Sequence, residues 1–293
     1  MGNYGLKTFD IGAQQERTRL IRCNLCGNTE RRDFLHCSDF RYVKCSICGF
    51  VYQNPQPVFD DLKLRYDVRY FQYELDNERN FFNLMKLGLK DIGFFSKLVD
   101  SFENKRFLDI GCATGMLISH MKNLGWKSKG VEICRKSAEY GIKNRDVDIF
   151  IGPLREANFL AKHFSVIHFS HLIEHVPDPK GFLQEIHRVL SSRGMAIITT
   201  PNVDGFQARL FGRNWRSAIA DHITLFSKTT LGAMLRSVGF RIDKTVTWGG
   251  VAKGSAPAFV KHPIDFLAKR FGFGDVVLMA VTKSFPTERE LCP

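Results

Sequence analysis

The sequence has no apolar run of ~18 residues, so it offers no candidate transmembrane helix. Its first residues, MGNYGLKTFDIGAQQERTRL, lack the basic start and apolar block of a secretory signal. The expected location is therefore the cytoplasm. Thiols stay reduced there, so the eight cysteines are expected as free thiols or metal ligands rather than disulfides. There is no internal repeat and no low-complexity tract. Acid is the scarce charge: 30 Asp and Glu stand against 42 Lys and Arg, a formal net charge of +12. Residues 205–270 hold 11 Lys and Arg but only Asp221, Asp243 and Asp265, whereas residues 1–57 hold 8 against 5. A late basic surplus suits a phosphate-bearing substrate, an acidic carrier, nucleic acid or an anionic membrane, with a solvated face as the plain alternative. A length of 293 residues with 44% hydrophobic content allows one large domain or two unequal ones.

The cysteines present are not scattered. Cys23-Asn24-Leu25-Cys26-Gly27 and Cys45-Ser46-Ile47-Cys48-Gly49 form two C-x-x-C-G hooks. Their separation fits a four-thiolate zinc site, and each glycine suits a knuckle that turns through positive φ. Short strands between the hooks complete a zinc ribbon, with His36 and Cys37 as off-register spares. So small a unit buries little core, so the ion would supply its folding energy. Four cysteines leave no open coordination position, so the Zn²⁺ is expected to be structural. The boundaries read as 18–57 for the ribbon, 58–104 for a helical linker or lid, and 105–293 for the main domain.

From residue 105 strand-like and helix-like runs alternate. The fold class is α/β, with a mostly parallel sheet covered by helices on both faces. RFLDIGCATGML, 106–117, places a buried strand before a tight turn and a helix. The dinucleotide pattern G-x-G-x-x-G is missing, because Met116 stands at its third glycine and Ala113 at its second. Asp109 would repel a diphosphate and attract an ammonium group. Glu132 ends the next strand, where an acid accepts from both ribose hydroxyls. A ligand with a ribose, an amine and no phosphate is S-adenosylmethionine (SAM).

Here the sequence resembles class I SAM-dependent methyltransferases, with LDIGCATG as their first motif. The resemblance implies a Rossmann-like sheet of seven strands whose last is antiparallel. It implies that Asp109 orients the turn and the methionine amine. Gly111, Cys112, Ala113 and Gly115 would let the backbone approach the ligand. Glu132 would hold the ribose, Ile133 would face the adenine, and Leu154 would cover it. Pro153 stands where many relatives have an aspartate.

Two later stretches, 168–190 and 201–240, resemble the ubiquinone-type and sugar methyltransferases. That likeness implies that Phe169, Ser170 and His171 line the cofactor, that His175 lies near the acceptor, and that His222 enters the pocket ahead of a helix capped by Ser227. Histidine suits a base for a hydroxyl or activated carbon. The order of expectation is His175, His171, His222. His171-Leu172-Ile173-Glu174-His175 also spells an inverted zinc-protease motif, but that motif needs a helix and this one follows a strand. Some ubiquinone-type relatives hold a divalent ion with acid, acid and histidine at these places. Here His171 replaces the first acid, and no tight catalytic metal is expected. Tyr70 is a candidate acceptor-orienting residue, with lid packing as the alternative.

The expected acceptor is a small molecule: a sugar, a glycan precursor that is anionic or lipid-linked, or a quinone-like compound. Sugar C-methyltransferases of this build carry a further large C-terminal domain, and the chain stops soon after its last strand, which tells against that acceptor class. One alternative is a ribosomal- or transfer-RNA methyltransferase that docks RNA on the ribbon, although the ribbon's charge surplus is small and no aromatic platform is evident. A non-catalytic zinc-ribbon binding protein is the other. KHPIDFLAKRFGFG, 261–274, is a candidate for peripheral membrane contact.

Overall fold

The computed structural model describes residues 16–66, 68–249, 268 and 272–284. The front segment forms β1 (Thr18–Arg19), β2 (Arg31–His36), β3 (Arg41–Cys45), β4 (Val51–Gln53) and β5 (Gln56–Pro57), then α1 (Phe59–Lys63) and the long α2 (Val68–Asp91). The alternating part follows: β6 (Arg106–Ile110), α3 (Met116–Asn123), β7 (Lys127–Glu132), α4 (Arg135–Arg145), β8 (Asp148–Ile151), β9 (Phe164–Ser170), α5 (Pro179–Val189) and β10 (Leu190–Pro201). It closes with α6 (Phe206–Phe211), β11 (Thr224–Leu225), α7 (Lys228–Ser237), β12 (Phe240–Trp248) and β13 (Val276–Lys283).

Seven strands form one sheet in the order β12-β13-β10-β9-β6-β7-β8. β13 runs antiparallel to both its neighbours, and β10, β9, β6, β7 and β8 are parallel. This is the architecture expected from the alternation. Helix starts follow their sequence signals. Pro179 opens α5 behind Asp178, whose side chain accepts from Gly181 N, and Ser227 caps α7 in a capping box with Thr230. Strand alternation sorts the core. Leu108, Ile110, Ile167 and Phe169 bury one face under α5 and α7. Phe107, Val166, Ile197 and Leu278 bury the other under α2 and α3. The chain lays β6, β7 and β8 toward one edge and then returns to place β9 on the opposite side of β6. The crevice at that reversal is where ligands of such sheets bind.

The front segment is not a separate bead. Its four-stranded sheet runs β11-β4-β3-β2, so its edge strand comes from the main segment. An edge strand exposes unpaired backbone groups, and β11 satisfies those of β4. Phe50 packs on Phe226 with ring centroids 5.2 Å apart, and the two segments share one core.

Region 58–103 gives two helices and a single π-helical turn, Phe94–Leu98. α2 is fixed at its middle and at its C-terminal end. Arg145 of α4 donates through Nη2 to both carboxylate oxygens of Glu78 at 2.9 and 2.8 Å, and Thr114 Oγ1 donates to Glu78 Oε2 at 2.7 Å. At the far end Trp248 Nε1 donates to Asp91 Oδ2 at 2.6 Å. Thr114 belongs to the turn after β6, so the long helix is bolted to that turn. No helix among the described residues is long and apolar enough to cross a membrane. Most of the candidate membrane segment 261–274 lies outside the described residues.

Glu78→Ala strips Arg145 and Thr114 of their shared acceptor. The expected loss is about 1 kcal/mol, since the pair is only partly buried. It is read as a lower urea midpoint together with faster amide exchange in α2 than in β6.

Candidate active site

The turn after β6 is built from left-handed residues. Gly111, Ala113 and Gly115 have φ of 69°, 49° and 77°. A Cβ at Gly115 would sit 2.9 Å from Val147, so glycine is required there on space as well as on φ. Gly111 N and Cys112 N donate to Val131 O, which ties the turn to β7. Glu132, buried at the end of β7, completes the tie. It accepts from Ala113 N through Oε2 and from Cys134 N through Oε1, each at 2.8 Å. The acid is thus held by the same backbone that it was expected to accompany.

Cys112 offers the turn its backbone. Its thiol is buried with Ile118, Ala138, Val147 and Ile149, and burial pushes it well above the usual thiol range. Ile133 is half-buried beyond Glu132. Leu154 is buried in the short turn after β8, where Gly152 N donates to Glu132 O. Phe169 is fully buried, edge-on to Phe182 at 5.4 Å, and belongs to the core face. Ser170 is half-buried at the end of β9. Asp109 is buried, and its Oδ1 lies 2.7 Å from His168 Nδ1.

α2 brings a second carboxyl group to Glu132. Glu74 is buried and accepts from the Ser137 hydroxyl. Burial and the neighbouring Glu132 push its carboxyl up to about 8, against the pull of Ser137 and Tyr70. Tyr70 therefore reaches this pocket through Glu74, and its ring meets Tyr66 edge-on at 4.9 Å. Glu74 was missed in the sequence. The available signal was the i, i+4 spacing of Tyr70, Glu74 and Glu78 on one helix face.

Across the crevice lies a cluster of one acid and three histidines. His171 follows β9 with φ of 52° and is exposed. Ile173–His175 is a single short 3₁₀ turn, not the helix that a zinc-protease motif needs. Glu174 is buried, accepts from Thr200 Oγ1 at 2.9 Å, and has Oε1 3.3 Å from His171 Nδ1. Burial pushes its carboxyl up, but His171, His175 and His222 outweigh burial and hold it at about 2. His222 is buried edge-on to His175, ring centroids 4.8 Å apart. Its Nδ1 is 2.8 Å from the Ser217 carbonyl, so the proton sits on Nδ1 and Nε2 keeps its lone pair. Burial, then His175, lowers this imidazole to about 4, so it is neutral at pH 7. Glu174 Oε1 and His175 Nδ1 are buried without a hydrogen bond. Ligand atoms of Glu174, His175 and His222 lie within 4.8 Å of one another, a spacing that can hold a metal ion.

The ribbon walls this cluster. Tyr42 OH donates to the carbonyls of Ile219 and His222 at 2.9 and 2.6 Å, and Gln53 Nε2 donates to Ala220 O and His222 O. Asn24, inside the first hook, donates to Pro177 O at 3.0 Å in the loop after β9. Arg65 bridges Glu16 and Asp221, each at 2.6 Å. The four sulfurs of Cys23, Cys26, Cys45 and Cys48 lie within 4.8 Å, with Cys23–Cys48 at 3.4 Å and Cys26–Cys45 at 3.6 Å. A tetrahedral ion with bonds of about 2.3 Å needs sulfurs about 3.8 Å apart, so the cage fits zinc. Gly27 and Gly49 turn at φ of 75° and 73°, and each amide donates to the first cysteine of its hook. Cys37 and His36 stay outside this cage.

Two outcomes are expected. Ala113→Gly relieves a left-handed alanine and raises stability by about 1 kcal/mol, seen as a higher melting temperature. Glu74 binds a proton in the folded state that it has released in the unfolded state between its ordinary value of 4.5 and about 8. Stability therefore falls as pH rises through that window, and Glu74→Gln flattens the fall in urea titrations at pH 5 and pH 9.

A family profile described as a methyltransferase domain matches residues 84–245. The ubiquinone biosynthesis O-methyltransferase of Idiomarina loihiensis is 27% identical over 135 residues, 43% of this chain and 55% of that protein. The protein of the same name from Parvibaculum lavamentivorans is 34% identical over 119 residues, 38% of this chain and 46% of that protein. The chain thus spans about half the length of the curated relatives it matches. In fold it is similar to a SAM-dependent methyltransferase of Thermotoga maritima described as a possible histamine N-methyltransferase. The TM-score is 0.54 at 22% identity, over 73% of this chain and 98% of that one. A SAM-dependent methyltransferase from Archaeoglobus fulgidus gives a TM-score of 0.53 at 20% identity, over 74% of this chain and 100% of that one. The chain belongs to the methyltransferase-domain family and has the Rossmann-like class I fold of SAM-dependent methyltransferases.

Proposed function

We propose that this protein transfers a methyl group from SAM to a small-molecule acceptor, with a histidine as base. The observation that carries the reading is the pairing of a turn tied to Glu132, without the dinucleotide glycines, with an acid–histidine cluster on the two sides of one crevice. Glu132 takes the ribose, with Asp109 at the amine. Gly111, Cys112, Ala113 and Gly115 give backbone access, and Ile133, Leu154 and Ser170 border the site. Phe169 supports the end of its strand from the core. The acceptor oxygen or activated carbon forms a bond to the methyl carbon as the sulfur–methyl bond breaks. Sulfur leaves with the electron pair, and the acceptor's proton passes to imidazole. Alignment supplies most of the acceleration, because the sulfonium methyl is already electrophilic.

His222 is the favoured base among the three histidines, ahead of His175 and His171. Its ring is locked by the Ser217 carbonyl, it is neutral at pH 7, and Nε2 is free to accept. This moves His222 from last in the order suggested by the sequence to first. Glu174 stabilises the positive charge that appears on the histidines as the proton arrives. The four cysteines hold Zn²⁺, which stiffens the ribbon and thereby the 219–223 segment. The reading of a small acceptor rather than a polynucleotide is supported by the ribbon, whose Tyr42, Gln53 and Asn24 are spent on carbonyls of the main segment beside the catalytic cluster.

Acceptors are identified by thermal shift with S-adenosylhomocysteine present. With such an acceptor, His222→Asn keeps a donor for Ser217 but removes Nε2. Its kcat is expected to fall by ~10²–10⁴ with the KM for SAM little changed. A chelator too weak to strip the ribbon leaves turnover intact. One strong enough to strip it lowers kcat while S-adenosylhomocysteine still binds. Tight RNA binding that weakens steeply with salt, with no small acceptor found, overturns the reading in favour of an RNA substrate.

A further inference from the structure

His168 has no part in the cluster just described. It lies in the middle of β9, one residue before Phe169 and on the opposite face of the sheet. β6 and β9 are parallel neighbours, and their register sets Asp109 beside His168. The side chains meet at 2.7 Å between Oδ1 and Nδ1, with Asp109 2% and His168 1% exposed. The Phe107 ring lies nearly parallel to the imidazole, centroids 6.5 Å apart and planes 21° apart, which fixes the plane of the donor. Among the described residues no other group bonds this carboxylate.

A buried carboxylate without a donor takes up a proton or moves toward water. A neutral acid would no longer attract an ammonium group. A histidine with its proton on Nδ1 donates to one oxygen and leaves the other for a ligand. We propose that His168 is a positioning residue that holds the Asp109 carboxyl group in the orientation that receives the α-ammonium group of the co-substrate. The inference rests on the assignment of Asp109 to that ammonium. It gives His168 a role in affinity for the amino-acid half of the ligand alone, with none in the chemistry.

Two probes separate that role from general damage. S-adenosylhomocysteine carries the α-ammonium, and methylthioadenosine has the nucleoside and sulfur without the amino acid. Calorimetry on His168→Leu is expected to show S-adenosylhomocysteine weakened about tenfold or more, the weight of a hydrogen bond to a charged group. Methylthioadenosine should bind as it does to the unaltered protein. His168→Asn, whose amide reproduces the Nδ1 donor, should restore most of the lost affinity. Asp109→Asn should lose affinity similarly, and adding His168→Ala, which removes the donor, should change nothing further, a comparison that stands even where the leucine variant does not fold. Equal weakening of both probes, unchanged binding of S-adenosylhomocysteine, or an asparagine variant as weak as the leucine one overturns the proposal. Failure of the unaltered protein to bind either probe would instead remove the cofactor reading itself.

Discussion

Buried carboxyl groups gather at one end of a mostly parallel sheet, and each of the four around the crevice must be given a donor or a proton. Asp109 has His168, and Glu132 has the amides of Ala113 and Cys134. Glu74 has Ser137 and Tyr70 and keeps its own proton, and Glu174 has Thr200, with His171 at 3.3 Å. Burying a charge without such partners costs several kcal/mol, so the partners dictate what surrounds the crevice. The donors come from the turn after β6, from β9, from β10, from α4 and from α2. The site is therefore assembled by nearly every element that reaches the carboxyl ends of the strands.

How much of this was legible in the sequence follows from how far each partner lies along the chain. Local signals were read well. The turn glycines, the acid ending β7, the paired hooks and the Ser227 cap each depend on a few neighbouring residues. Relations across the fold were not. That β11 would complete the ribbon sheet depends on two residues pairing across about 170 positions of chain. His168 looked like an ordinary strand residue until the register of β6 against β9 put it beside Asp109. Cys112 sits in a cofactor motif, but only packing decides that its thiol faces α3 and α4. Phe169 likewise turned out to be a core residue, because strand alternation sends it to the opposite face from His168.

The ribbon gains its meaning from the same accounting. A small four-cysteine unit is usually read as a detachable module. Here its side chains satisfy the carbonyls of a loop that carries a candidate base, and its hydrophobic residues belong to the main core. Tyr42 and Gln53 lie on strands that lead into and out of the second hook, so the four-cysteine cluster and the 219–223 segment share one set of supports.

The charge distribution makes sense of an otherwise awkward contrast. The chain carries +12 overall, but its crevice is lined with carboxylates. A uniformly basic protein would repel a sulfonium and an ammonium alike. Concentrating acid at the strand ends attracts both. The buried acids therefore reverse the sign of the overall charge locally, at the strand ends where a sulfonium and an ammonium have to be held.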